Sequence, residues 1–280
     1  MLVAVVLLAS HVTSLAQEQP SAKPQVSAQI GDSQREVEPD EGEEKKVDPL
    51  ASKGPLPPPG FMGDCVKLIR ANQTGRARRR LELVVADHPG WAKAHFYLGL
   101  TYHTEKRYER AVEWFKRSLE LDPLDHTPRV FLGWGLYYLG EPEASRAMFE
   151  SYLEIKPDYP DAIFALGLID FDADDIPSAK ARFEKVIRLA RAQKSSKTEA
   201  KARARLADVL IRLNELEPAR KELDKSIELN PDNYEAYYKL SRVLERLGDH
   251  EAAEKARSEH DAVRDRVTKA KQGVHKRRGQ

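Results

Sequence analysis

Asp170, Asp172, Asp174 and Asp175 crowd into six residues, the density of carboxylates with which a calcium-binding loop begins. Such a loop also needs Gly at its sixth position for a sharp turn and a bidentate Glu at its twelfth. Here the sixth is Asp175 and the twelfth is Ala181, so the run reads as a solvated turn that stops a helix, and no metal is expected. His95 and His103 lie eight residues apart in one candidate helix. With no Cys and no second cluster beside them they read as ordinary surface or groove residues. Cys65 is the single cysteine, which rules out an internal disulfide. Arg76, Arg78, Arg79 and Arg80 have the charge to hold an anion but read as a solvated helix face. There is no Gly-rich phosphate loop, paired cysteine, HExxH, haem-attachment motif or nucleophile elbow. The expectation is a protein without catalytic residues or a cofactor.

What would position these side chains is a repeated helical unit. In residues 91–123, Leu98, Gly99 and Tyr102 fall on one face of a first helix, and Ala111, Phe115 and Ser118 on one face of a second. The polar run 104–108 is the turn between them and Pro123 the stop. The pattern returns 34 residues on at Leu132, Gly133, Leu136, Ser145, Phe149 and Pro157, and again at Leu166, Gly167, Ala179 and Phe183. After a six-residue slip it resumes at Leu206, Ala207, Leu210, Ala219, Leu223 and Pro231, then at Leu240, Ser241, Leu244 and Ala253. A weaker copy precedes the rest, at Cys65, Leu68, Ala77, Leu81, Val84 and Pro89. A fixed period of this length is the signature of a stacked array. The columns Cys65, Gly99, Gly133, Gly167, Ala207, Ser241 and Ala77, Ala111, Ser145, Ala179, Ala219, Ala253 are small throughout, as close helix approach demands. Cys65 is thereby a packing residue rather than a reactive thiol.

These motifs resemble the tetratricopeptide repeat family over about residues 58–267. The resemblance implies an all-α, right-handed superhelical array of about six helical hairpins, in units 58–91, 92–125, 126–159, 160–193, 200–233 and 234–267. In that family the first helices of successive hairpins line a concave groove for an extended peptide or a helix of a protein partner. Carried over, the groove positions are Phe96, Leu100 and His103; Val130, Trp134, Tyr137 and Tyr138; and Phe164, Leu168 and Phe171. Toward the end they become Ala204, Asp208, Ile211, Tyr238 and Arg242. The packing positions are already filled by Leu132, Leu136, Phe149 and Leu166, so the central aromatics read as surplus to the core and exposed for a partner. The Lys and Asn clamp by which chaperone-adaptor members hold a terminal carboxylate is absent, since its early positions are Phe96, Leu100, Val130 and Trp134.

Residues 1–16 carry no Lys, Arg, Asp or Glu and end in Ser14, Leu15 and Ala16. They read as an export signal, too short for a bilayer span of about 20 residues, and they point to a periplasmic or extracellular destination. Residues 17–57 are Pro-rich and poor in large apolar side chains, with a net charge of −4; that composition describes a disordered acidic arm. Asn72, Gln73 and Thr74 form a glycosylation sequon in a turn. The six-residue slip, in residues 186–200, is expected to lengthen the preceding helix before a loop at residues 194–197. It leaves open a bend, a harmless bulge, or a contact point at Lys194, Lys197 and Lys201. Arg257 and His260 replace the repeat's aromatic or small residues, as a closing cap requires. A basic tail follows at residues 268–280, and residues 264–280 carry +6, which reads as solubilising rather than as a nucleic-acid site. Two other roles stay open beside the peptide groove, a structural spacer in an envelope complex and anionic-surface binding through that tail.

Overall fold

The structure is a computed structural model that describes residues 54–278, with side chains through residue 270. The expected export signal and most of the acidic arm lie outside the described residues. Within them there are twelve α-helices and no strand. They fall into two compact units, divided after Pro128.

The first unit holds two hairpins, α1 (Phe61–Arg70) with α2 (Thr74–Asp87) and α3 (Ala92–Thr104) with α4 (Tyr108–Leu121). The second takes over within α5 (Thr127–Tyr138), which pairs with α6 (Pro142–Leu153). It continues with α7 (Pro160–Asp172) and α8 (Ile176–Ala192), α9 (Ser196–Arg212) and α10 (Leu216–Leu229), and α11 (Tyr234–Leu247) and α12 (His250–Arg278). The turn inside every hairpin is made the same way. Asn72, Lys106, Gly140, Asp174, Asn214 and Gly248 all take positive φ, between 58° and 84°. In the first of these turns Asn72 N–H donates to Ile69 O and Gln73 N–H to Leu68 O, so the left-handed residue turns the chain while the orphan carbonyls of the helix end are satisfied.

The small column has a partner column that explains which small residue stands where. A Cβ built on Gly99 would lie 2.7 Å from Phe115, one on Gly133 2.9 Å from Phe149, and one on Gly167 2.8 Å from Phe183. Each of these phenylalanines is essentially fully buried. In hairpins whose second helix carries Leu at that register, Leu81 and Leu223, the column reads Cys65 and Ala207. A Phe ring needs the space of a missing Cβ; a Leu leaves room for one. We expect Gly167→Ala to lower stability by up to about 2 kcal/mol, because overpacking costs about 1–3 kcal/mol against the roughly 1 kcal/mol that Ala gains over Gly in a helix. In a Phe183→Leu background the same change should become neutral or stabilising, read as denaturation midpoints. An unchanged sign would break the pairing.

The second small column serves the same contact. Ala77, Ala111, Ser145, Ala179, Ala219 and Ala253 are all fully buried, and Ser145 Oγ donates to Gly133 O at 2.8 Å, tying α6 to α5.

The six inserted residues form no bulge. They lengthen α8 and α9 to 17 residues each, where α5 has 12 and α10 has 14. The turn between them is short, with Lys194 at φ 53°. The added turns carry an ion network: Glu199 accepts from Arg191 Nε at 2.8 Å and from Arg203 Nη2 at 2.8 Å, and Arg203 also pairs with Glu222 on α10. Burial opposes ionisation of Glu199, yet the hydrogen bonds from Arg191 and Arg203 hold its carboxyl below the usual range.

Three expectations change. Asp170 is not in a solvated turn: it is an inward residue of α7, 1% exposed, with Arg146 Nη2 at 2.7 Å and Arg182 Nε at 2.5 Å. His95 and His103 are buried rather than on the surface. The basic stretch after residue 267 is not set apart from the last repeat, since α12 runs on through Arg278. Its apolar contacts come early, at Ala253, Ala256 and Val263.

Candidate partner-binding face

In the second unit, α5, α7, α9 and α11 are the first helices of their hairpins, and each presents one residue row to a common face. Trp134 is at its centre but is 7% exposed. Its indole stacks on Tyr138, with ring centroids 5.8 Å apart and 19° between planes, and meets Tyr137 edge-on at 5.9 Å. Its Nε1 donates to Asp161 Oδ2 on α7 at 2.8 Å. Phe164 is buried on Phe183, at 5.5 Å, and Val130 is buried as well. These three are therefore inter-helix packing, which corrects the expectation that the central aromatics are surplus to the core. Long gaps between helices on this side demand large side chains, and Trp and Phe supply them.

Tyr137, Tyr138, Leu168 and Phe171 are half-buried, and Tyr238 is 49% exposed. Tyr137 donates its hydroxyl to Asp172 Oδ2 at 2.7 Å; burial first, and the neighbouring carboxylate second, push its pKa up to about 12. Further along, Asp208 accepts from Lys239 Nζ at 2.6 Å and Arg205 Nη1 at 3.1 Å, and the Arg242 guanidinium stands 5.9 Å from the Tyr238 ring centroid.

Lys201 is the residue that the pattern of apolar groove positions missed. Its ammonium lies 3.9 Å from the centroid of Phe164 and 5.6 Å from that of Trp134. No carboxylate among the described residues comes within 4 Å of it. Burial lowers its pKa, and Asp161 works against that shift. Cation–π attraction is what replaces an ion pair here. Lys194 and Lys197 are exposed at the turn, so of the three lysines that the insertion left open as a contact point only Lys201 lies against the aromatic cluster. Each of Asp161 and Lys201 stands second in its repeat unit, 160–193 and 200–233.

In the first unit Phe96, Leu100 and His103 are all buried. Phe96 packs on Tyr97 at 5.1 Å and Phe115 at 5.8 Å, and His103 lies against Tyr108 at 5.4 Å and Phe115 at 6.2 Å. Of the expected apolar groove positions, those left partly open are thus Tyr137, Tyr138, Leu168, Phe171, Ile211 and Tyr238, while Ala204 is buried.

The fold and these residue rows define a helical-repeat protein, and the comparisons name the repeat. Residues 68–126, 200–233 and 222–255 each match a tetratricopeptide repeat model, so these stretches are tetratricopeptide repeats. A curated relative, Protein CTR9 homolog of Arabidopsis thaliana, is 27% identical over 120 residues, which is 42% of this chain and 11% of that protein. The chain thus spans about a tenth of the length of the curated relative it matches. Among solved structures it is similar to the APC/C hetero-tetramer Cut9–Hcn1, at 19% identity and TM-score 0.65 over 72% of this chain and 39% of that one. It is also similar to pilF of Pseudomonas aeruginosa, at 22% identity and TM-score 0.60 over 70% of this chain and 87% of that one. At these identities the likeness is one of fold. Among the described residues no helix is long and apolar enough to cross a membrane.

Proposed function

We propose that this chain is an exported protein-interaction scaffold that receives an extended segment of a partner protein across α5, α7, α9 and α11. Repeat proteins of this family are generally interaction scaffolds, and the export rests on the composition of residues 1–16. The observation that carries the site is the row of Tyr138, Leu168, Phe171 and Tyr238, left partly open between helices whose deeper positions are filled. Trp134, Phe164 and Val130 support this face from beneath. Partly exposed aromatics with charged neighbours at the rim are the make-up of an interface centre. Three such side chains, each already about half covered, would contribute about 2–5 kcal/mol on full burial against an association cost on the order of 4–15 kcal/mol. A useful partner must therefore run along several helices.

The test is crosslinked capture from the native host with the full chain and with a Tyr138→Ala, Tyr238→Ala variant whose melting curve matches the parent. Truncating two anchor residues should weaken a genuine groove ligand at least about thirtyfold, given about 2 kcal/mol or more for an interface hot spot. Equal capture by parent and variant would remove the groove. Periplasmic or extracellular recovery of a reporter carrying residues 1–16 tests export separately.

A further inference from the structure

We propose that the outer face of α2 is a docking site for the chain's own acidic run, residues 36–44. On the inner side of α2, Thr74, Ala77, Leu81 and Val84 are buried. On the opposite side Arg76, Arg79, Arg80 and Leu83 form a continuous exposed stripe, with Leu83 68% exposed. Their neighbour Arg78 is accounted for: it pairs with Glu105 and stacks on Tyr102 at 5.3 Å. The stripe arginines are not. No carboxylate among the described residues lies within 4 Å of Arg76, Arg79 or Arg80. Arg76 only reaches Gln73 Oε1 at 3.0 Å, and Arg80 lies over the Phe61 ring at 5.3 Å. Several exposed arginines elsewhere take a local acid, as Arg110 does with Glu113, Arg117 with Glu120 and Arg257 with Glu254. Arg70, Arg188, Arg242 and Arg246 are also exposed without one, but among the described residues only α2 gathers three such arginines within five residues.

The complement stands a short way upstream. Residues 36–44 read EVEPDEGEE, with six acids, no base and one apolar side chain, Val37, to set against Leu83. From residue 44 to the start of α1 at Phe61 there are 17 residues, enough to span up to about 56 Å when extended. The α2 helix itself is about 21 Å long, so the run reaches any part of it. Exposed pairs are individually weak. Tethering raises the local concentration of the run to about the millimolar range, which lets several weak pairs act together. Such a contact is screened by salt over about 10 Å at 0.1 M. Docking would occupy the arginine face until a stronger anion displaces the arm.

The experiment uses the full chain and trypsin, which cuts after Lys45 and Lys46 at the edge of the run. Docking predicts that cleavage there is about fivefold slower at about 20 mM salt than at about 500 mM. It also predicts that Arg76→Gln, Arg79→Gln, Arg80→Gln abolishes the difference without moving the melting curve. Neutralising Glu36, Glu38, Asp40 and Glu41, which are not adjacent to the scissile bonds, should abolish it equally, and combining both sets should add nothing. Equal low-salt rates in the parent and the arginine variant would overturn the proposal. Protection that grows with protein concentration would overturn it too, in favour of an arm from a neighbouring copy.

Discussion

Removing the Asp170 carboxylate lowers the stability of the second unit by about 3 kcal/mol, and removing its two partners lowers it further. Breaking a buried ion pair by deleting one member costs about 3–5 kcal/mol, because the other is left charged and without compensation. Which member is deleted decides where in that range the cost falls. The Asp170 side chain is 2% exposed, whereas those of Arg146 and Arg182 are 31% and 30% exposed. After Asp170→Ala the arginines can turn toward water, so the cost sits at the low end. After Arg146→Met with Arg182→Met the carboxylate has nowhere to go. The loss should then be about 4–5 kcal/mol. Chemical denaturation of the three proteins at pH 7 separates these cases. Equal losses for the single and double variants would show that Asp170 does not hold α6, α7 and α8 together as a buried charge.

That role was invisible in the sequence for a physical reason. Asp170 stands in a run of acids that looks solvated, and only the register of α7 turns it inward while Asp172 and Asp174 face out. The periodic features were legible. The 34-residue spacing of Gly99, Gly133 and Gly167, and of the alanines opposite them, located the hairpins, because helix contact distance acts on residue size at one position at a time. The insertion was legible in part. An uninterrupted helix past residue 186 was readable from the lack of Gly and Pro, but not the equal lengthening of α9 or the Arg191, Glu199 and Arg203 network that links the added turns.

The groove residues were the least legible, and the failure is instructive. Residue type alone cannot separate an aromatic that fills a gap between helices from one that waits for a partner. Trp134 and Phe164 fill gaps, while Tyr138 and Phe171, from the same rows, remain partly open. The difference lies in what covers them. Lys201, from α9, places its ammonium over both Trp134 and Phe164, an arrangement that needs the three-dimensional neighbour and that a hydrophobic pattern does not contain.

His103 sets the acid sensitivity of the first unit. Burial alone lowers its pKa to about 4 from an ordinary value of 6.5, and the ring is held among Tyr108 and Phe115. The unfolded chain therefore binds a proton on this residue that the folded one refuses. Stability from this group is fully present above pH 6.5 and declines as pH falls toward 4, at about 1.4 kcal/mol per pH unit, for a loss of about 2 kcal/mol at pH 5 and about 3 kcal/mol in the limit. His95 adds to the same trend, since burial lowers its pKa as well, against the hydrogen bond to the Pro89 carbonyl. Glu199 contributes in the same direction but lower on the scale. Its folded pKa is depressed, so its share is kept above about pH 4.5, the ordinary value, and lost only below it. Between pH 6.5 and 4.5 the histidines act alone among these groups. A His103→Leu variant should be less acid-sensitive than the parent by about 2 kcal/mol over pH 7.5 to 5, measured as urea midpoints followed through Trp91 and Trp114, which report on the first unit in a chain where Trp134 is replaced by Phe. Parallel pH profiles for variant and parent would show that the buried imidazole takes up its proton without unfolding anything.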